Sequence, residues 1–194
     1  MMNYTLTHIS KCIETSSYIS NYCNPAKFIK FCECCDKYNS CWACPPYSYN
    51  PIDRISPYKY THIIGTKVLF DEQFIEASSN PAENRSIIDQ VMTDVRAIID
   101  PQLMKLEEEI PSSLVLLAGT CHLCPQGCTR TESKPCRYPQ RIRPSLEAYG
   151  FNISQTTESL LDIPLKWSKA GELPPYLVLV SGFMCNTKYL NASF

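Results

Sequence analysis

The sequence predicts an α+β or α/β fold, with one small sheet, helices packed against it and two irregular cysteine-rich loops. Tyr60–Phe70 is rich in β-branched and aromatic residues, which favours a strand with Gly65 as a candidate bulge. Apolar residues then repeat at helical spacing over 87–99, which predicts an amphipathic helix. The apolar runs 114–118 and 176–183 predict two further strands.

The ends of the helices follow from capping residues and prolines. The long helix is expected to begin at Asn80-Pro81, because asparagine caps a helix and proline is tolerated in its first turn. It should stop or kink at Asp100-Pro101, since an internal proline lacks the N–H that the helix needs. A second helical piece is predicted over 102–109 and a short helix, opened by Pro144, over 143–149.

Length and charge limit the classes of function. A chain of 194 residues is expected to form a single domain over 1–194. Hydrophobic residues make up 44% of the chain and charged residues 19%, with a net charge of -1, so neither disorder nor a polyelectrolyte partner is indicated. No binding of nucleic acid is expected.

The cellular compartment decides what the 12 cysteines do. The first twelve residues have no basic region followed by an apolar run, and no apolar stretch is long enough to cross a bilayer. We therefore expect a cytoplasmic protein without a membrane segment. In a reducing compartment, clustered cysteines are more often metal ligands or reactive thiols than disulfides.

The second cysteine loop, 121–136, carries the strongest signal for a metal. Three thiols within eight residues wrap the backbone around one point and a fourth follows: Cys121-x2-Cys124-x3-Cys128-x7-Cys136. This spacing favours a [4Fe–4S] cluster, because structural zinc is usually held by two separate Cys-x2-Cys pairs. Zinc and purely structural or disulfide cysteines are the alternatives. His122 is expected to face solvent or to support a ligand rather than to bind metal.

The first cysteine loop, 23–47, leaves the metal open. Cys32-x2-Cys35 and Cys41-x2-Cys44 form a pair of pairs as in zinc knuckles, but only five residues separate them. The same thiols could hold a second iron–sulfur cluster. Cys23 and Cys34 are alternative ligands in this loop, while Cys12, Cys23 and Cys185 are by default small buried apolar residues.

The motifs around both loops resemble those of DUF2284, a family of uncharacterised prokaryotic proteins described as predicted metal-binding proteins. The similarity runs from about residue 31 to the C-terminus. It rests on the strings around Cys44-Pro45-Pro46-Tyr47, on Pro135-Cys136-Arg137, and on Arg143-Pro144-Ser145-x-Glu147-Ala148-x-Gly150. The resemblance implies that Cys32, Cys35, Cys44 and the four cysteines of the second loop are ligands. Cys34 and Cys41 are additions to the family pattern, so Cys41 is a candidate fourth ligand of the first site.

The arginines that follow the second loop have two interpretations. Arg137, Arg141 and Arg143 could offset the negative charge of a thiolate-ligated cluster or bind an anionic ligand, which makes Arg137 and Arg143 candidate cofactor-binding residues. Arg143 could instead pair with Glu147 across one helical turn, with Gly150 ending that helix.

Three functions from different classes fit these features. The leading hypothesis is a cytoplasmic iron–sulfur protein that exchanges electrons with a redox protein partner, with one or two [4Fe–4S] clusters. The second is a zinc-stabilised interaction module that binds through aromatic residues between Tyr47 and Tyr60, a segment that simple packing also explains. The third is a thiol-dependent enzyme or metallochaperone that uses the surplus cysteines.

Overall fold

A computed structural model describes residues 4–78, 80–168 and 171–190. Its strands and helices alternate irregularly along the chain, with 3₁₀ turns at Thr129–Glu132 and Glu147–Tyr149. The elements are β1 (Tyr4–Glu14), α1 (Thr15–Tyr22), α2 (Pro25–Glu33), α3 (Pro51–Ile55), β2 (Tyr60–Phe70), α4 (Glu72–Ala77), α5 (Pro81–Glu109), β3 (Leu114–Leu116), α6 (Ile153–Leu161) and β4 (Tyr176–Cys185).

The four strands form one antiparallel sheet in the order β1-β2-β4-β3. An antiparallel sheet with helices packed on it is an α+β fold, so the α+β prediction is confirmed and the α/β alternative is not. Thr61 and Leu114 both pair with Met184, which places the starts of β2 and β3 at the same level on either side of β4.

The two faces of the sheet bury different sets of side chains, because successive residues of a strand point to opposite faces. On one face, Val68 and Leu179 pack against Val91, Val95 and Ile99 of α5. Further along the same helix, the core continues through Leu103, Val115 and Phe183. The other face is covered by α1, α6 and the aromatic residues of the loops, in a core that contains Tyr18, Ile63, Leu116, Leu146, Tyr149, Phe151 and Met184.

The predicted strands are present with small corrections at their ends. β2 covers the predicted range, but Gly65 pairs in register with Ile9 and forms no bulge. A side chain at position 65 would meet the Leu161 side chain at 2.6 Å, which explains the glycine. β3 ends at Leu116 rather than at residue 118, because the Leu117 N–H bonds to the Pro144 carbonyl instead of to β4.

Two helix predictions need correction. The long helix begins where expected, with the Asn80 side chain accepting from the Ala82 N–H, but it continues through Pro101 to Glu109 as one element. Ile99 and Leu103, on either side of Pro101, both pack onto the sheet and keep the chain helical there. The short helix predicted over 143–149 shrinks to the 3₁₀ turn Glu147–Tyr149, which Gly150 ends as expected.

Several elements have no counterpart in the sequence analysis, including β1, α1, α6 and α2. The last of these occupies residues 25–33, so the first cysteine loop is helical in its first third rather than irregular throughout. Tyr47, Tyr49 and Tyr58 pack against the core, as the packing interpretation of that aromatic segment expects. Within the described ranges, no helix combines the length and the apolar character that crossing a membrane requires.

Gly150 holds α2 against the second half of the chain, and its replacement should destabilise the fold. Its φ is +88°, and a Cβ there would lie 2.7 Å from the Pro25 backbone. For Gly150→Ala we expect a loss of about 2–4 kcal/mol in the free energy of unfolding, from the left-handed backbone and the steric overlap together. Denaturant unfolding of samples in one metal state measures it.

The matched control is Gly127→Ala. Gly127 also has a positive φ, +93°, but no atom within 4 Å of an added Cβ. It should lose only about 1–2 kcal/mol, the backbone contribution alone. Equal losses at the two positions would show that the contact with Pro25 contributes nothing.

Candidate metal centre

The first cysteine loop is built from two tight turns. Each Cys-x2-Cys pair is closed by a backbone hydrogen bond from its last residue to its first, Cys35 N–H to Cys32 O at 2.9 Å and Cys44 N–H to Cys41 O at 3.0 Å. Cys32 lies in the last turn of α2. Asn39, with a φ of +52°, returns the chain and donates its N–H to the Pro45 carbonyl. These turns place the two sulfurs of each pair close together.

The second cysteine loop starts where β3 leaves the sheet. Gly119 and Gly127 both adopt a positive φ, which lets the chain turn sharply around the thiols. The Thr129 hydroxyl closes the far end of the loop by donating to the Pro135 carbonyl at 2.9 Å. The sheet therefore fixes one end of the loop, and its own hydrogen bonds fix the other.

The two loops meet at their sulfurs. The Thr120 hydroxyl donates to Cys41 Sγ at 3.6 Å and contacts Cys44 Sγ at 3.3 Å. The Trp42 backbone N–H donates to Cys128 Sγ at 3.4 Å. The thiols of Cys44 and Cys121 lie near enough to Cys41 to lower the pKa of its thiol. Thiols about eighty residues apart in sequence thus form one composite group.

The thiols of Cys41, Cys44 and Cys121 differ in the direction in which their pKa values are shifted. Hydrogen bonds from the thiols of Cys121 and Cys44 lower the pKa of Cys41, because they stabilise its thiolate. The same contacts, together with burial, raise the pKa values of Cys44 and Cys121. Metal binding would displace the protons of these thiols, since the thiolate is the form that ligates.

Arg130 fastens the two loops together. Its guanidinium donates to three carbonyl groups of the first loop: Cys41 O at 2.9 Å, Cys44 O at 2.6 Å and Pro46 O at 2.5 Å. It also lies 5.0 Å from the centre of the Trp42 ring, within the range of a cation–π contact. The Trp42 indole N–H in turn donates to the Lys134 carbonyl at 3.1 Å.

A comparison with family models identifies the group of proteins to which this architecture belongs. Residues 19–180 match the model for DUF2284, predicted metal-binding protein. This range covers most of the chain and both cysteine loops. The chain belongs to the DUF2284 family. Neither the curated proteins nor the solved structures include one that matches it.

The cysteines of this DUF2284 protein fit the family description. All twelve are free thiols, so none of the eight predicted ligands is consumed by a disulfide. Among the described residues, no three His, Cys, Asp or Glu side chains are gathered around one point closely enough for a single ion. The thiols instead lie in a connected series across the two loops.

Among the described residues, the sulfurs of the other four predicted ligands make no hydrogen bond to the opposite loop. Cys35 accepts from the Lys37 N–H at 3.5 Å, and Cys136 accepts from the Tyr138 N–H at 3.4 Å. Cys124 lies beside Arg137, and a hydrogen bond between the two side chains raises the pKa of the guanidinium. Cys32 is half-buried, and burial raises the pKa of its thiol.

The two candidate cofactor-binding arginines have different positions. Arg137 lies at the second loop, where it contacts Cys124 and donates to the Gly127 carbonyl at 2.9 Å. Arg143 lies against α5, where it forms a largely buried ion pair with Glu107 and not with Glu147. The pairing with Glu147 is therefore wrong, because the residues 143–146 are not helical and the one-turn spacing is lost.

His122 contacts α5. Its Nε2 lies 3.5 Å from Asp100 Oδ2, and burial lowers its pKa. Its expected role as a support for a ligand stays a prediction.

Sequence reasoning missed Thr120, Trp42 and Arg130. None of them belongs to a recognisable ligand motif, and each acts on the other loop. An arginine between two ligand positions, Cys128 and Cys136, was the only available signal for Arg130.

Removal of the Arg130 guanidinium should loosen the junction of the loops. For Arg130→Ala we expect a loss of about 2–3 kcal/mol in the free energy of unfolding, because three carbonyl groups lose a charged donor. Denaturant unfolding of metal-loaded protein measures this. Arg85→Ala is the control: Arg85 forms one exposed ion pair with Asp89, whose loss should change stability by less than about 1 kcal/mol. Equal effects of the two variants would contradict the role of Arg130.

Proposed function

We propose that this protein is a redox protein of the cytoplasm that carries a [4Fe–4S] cluster where the two cysteine loops meet, and that it exchanges electrons with a protein partner. The meeting of the two loops at their sulfurs carries this proposal: the Thr120 hydroxyl, next to Cys121, contacts the sulfurs of Cys41 and Cys44, and the Trp42 N–H donates to Cys128 Sγ. Thiols of both loops are gathered there, and all of them are free. Free thiols in this number are stable only in a reducing compartment, which supports the cytoplasm.

The spacing of the second loop favours iron and sulfide over a single zinc ion. Cys121, Cys124, Cys128 and Cys136 supply the four thiolates that a [4Fe–4S] cluster needs, in a local wrap typical of such clusters. When bound, the cluster would supply a one-electron couple. The eight cysteines of the two loops suffice for two clusters, and iron content decides the number.

The chain's own groups can support the charge on the ligands. Backbone N–H groups of Lys37, Trp42 and Tyr138 donate to sulfurs of the site at 3.4–3.5 Å. Arg137 adds a positive charge beside Cys124. Donors of this kind stabilise the more negative, reduced form of a cluster, and so they raise its reduction potential.

Zinc is the second candidate, and the turns of the first loop favour it. Cys32-x2-Cys35 and Cys41-x2-Cys44 are each closed by a hydrogen bond between their end residues, an arrangement that suits tetrahedral zinc held by two pairs. In that case both loops would be structural, and the protein would act by binding a partner without redox chemistry.

Metal and acid-labile sulfide content separates the two candidates. Protein prepared without oxygen should contain about four iron and four sulfide per chain, or about eight of each if the first loop holds its own cluster. It should show broad absorbance in the visible range that disappears in air. Stoichiometric zinc without sulfide would refute the redox function and support the structural one.

Cysteine variants test whether the centre is shared between the loops. We expect both Cys128→Ala and Cys41→Ala to lose most of the iron and sulfide of the second-loop centre, because both sulfurs lie where the loops meet: Cys128 accepts from the Trp42 N–H and Cys41 from the Thr120 hydroxyl. Cys34→Ala is the matched control: Cys34 is an exposed cysteine of the same loop, and its removal should leave the content unchanged. Full retention of iron in Cys41→Ala would show that the second loop binds its cluster alone.

A further inference from the structure

A large cavity opens beside the cysteine loops, on the side of α5 that faces α2. Its volume is about 1070 Å³, at the upper end of the range for pockets that bind small molecules. α2, α5 and the segments 165–168 and 171–178 supply most of its walls. Cys32 and Thr120 also line it, so the cavity borders the place where the sulfurs of the two cysteine loops meet.

The walls of the cavity are mostly apolar and aromatic. Phe28, Phe31, Met92, Phe151 and Trp167 all line it. Phe31 and Trp167 are 66% and 73% exposed, which is unusual for such large apolar side chains, and both lie at this cavity. An organic molecule with an apolar body would cover them.

One carboxylate in the wall of the cavity belongs to Glu147, whose side chain is exposed to solvent. Desolvation by the surrounding protein raises the pKa of its carboxyl group, and the charge of Arg96 lowers it. The two arginines of the lining are already paired, Arg96 with Asp100 and Arg85 with Asp89. Lys166 lies exposed at the rim, and no ion pair joins Glu147 to a lysine or arginine among the described residues.

We propose that this cavity binds an organic cation, a molecule with a largely apolar body and a protonated or quaternary nitrogen that lies against Glu147 among the aromatic rings. This site goes beyond the proposed redox function and does not depend on the identity of the metal. Because Cys32 and Thr120 form part of the wall, the bound cation lies next to the place where the sulfurs of the two cysteine loops meet.

Charge complementarity selects the class of ligand. A ligand that fills the cavity would cover the Glu147 carboxylate, and a neutral or anionic ligand would desolvate it without supplying an opposite charge. Aromatic faces carry negative charge density, so they attract cations as well. A cationic nitrogen is the group that both features favour.

Three probes of similar shape test the proposal by titration calorimetry: tryptamine as the cation, tryptophol as the neutral molecule and indole-3-acetate as the anion. We expect tryptamine to bind at least about tenfold more tightly than tryptophol, with indole-3-acetate the weakest. Absence of tryptamine binding at millimolar concentration, or tighter binding of the anion, would overturn the proposal.

Two variants locate the site. Glu147→Gln should weaken tryptamine binding about tenfold and remove its preference over tryptophol. Trp167→Ala, at an exposed rim position whose loss should not impair folding, should weaken all binding several-fold. The matched control is Asp89→Asn, a carboxylate of the same cavity that Arg85 already neutralises, with affinity expected within about twofold of wild type. Unchanged affinity in Glu147→Gln would place the ligand elsewhere.

Iron and sulfide content is measured on the same samples. A cluster-loaded protein that fails to bind tryptamine refutes only the cavity, and a zinc protein that binds it refutes only the redox function. Normal metal content in Glu147→Gln shows that the variant is folded.

Discussion

The junction between the two cysteine loops depends on one side chain, Arg130. Its guanidinium reaches from the second loop to three backbone carbonyl groups of the first. These carbonyls come from a short turn that has no regular secondary structure to satisfy them, and a charged planar donor with several N–H groups suits them. The sulfurs can meet only if this turn keeps its position.

The sheet reduces the loss of conformational entropy that holding the turn in this position requires. Bringing together residues about eighty positions apart is unfavourable, and the loops alone could not offset it. Pairing of β2 and β3 with opposite sides of β4 brings the two chain segments to the same end of the sheet. Tyr47, at the end of the first loop, and Tyr49 just after it then contact Tyr149. A metal that binds the assembled thiols therefore also stabilises the fold.

Local patterns predicted the parts of the molecule that local physics determines. β2 and the start of α5 follow from residue periodicity and from the Asn80-Pro81 cap, and both are present. Pro101 misled the prediction, because tertiary packing of Ile99 and Leu103 outweighs the missing hydrogen bond. β1 was missed because it is an edge strand whose half-exposed side chains give little apolar pattern. The cysteine pairs were visible in the sequence, but the meeting of the two loops at their sulfurs depends on the sheet and could not be predicted from the sequence.

Arg96 connects the core, the cavity and the place where the sulfurs of the two cysteine loops meet. It projects from α5, where Asp100 pairs with it one turn away, and it donates to the Thr120 carbonyl at 2.8 Å. The hydroxyl of the same threonine contacts Cys41 and Cys44, and Arg96 also lines the cavity that contains Glu147. A buried arginine is normally unfavourable to desolvate, and the ion pair with Asp100 and the hydrogen bond to the Thr120 carbonyl offset that cost. The helix that covers the sheet thus sets the position of Thr120, and through it the distance between the two sites.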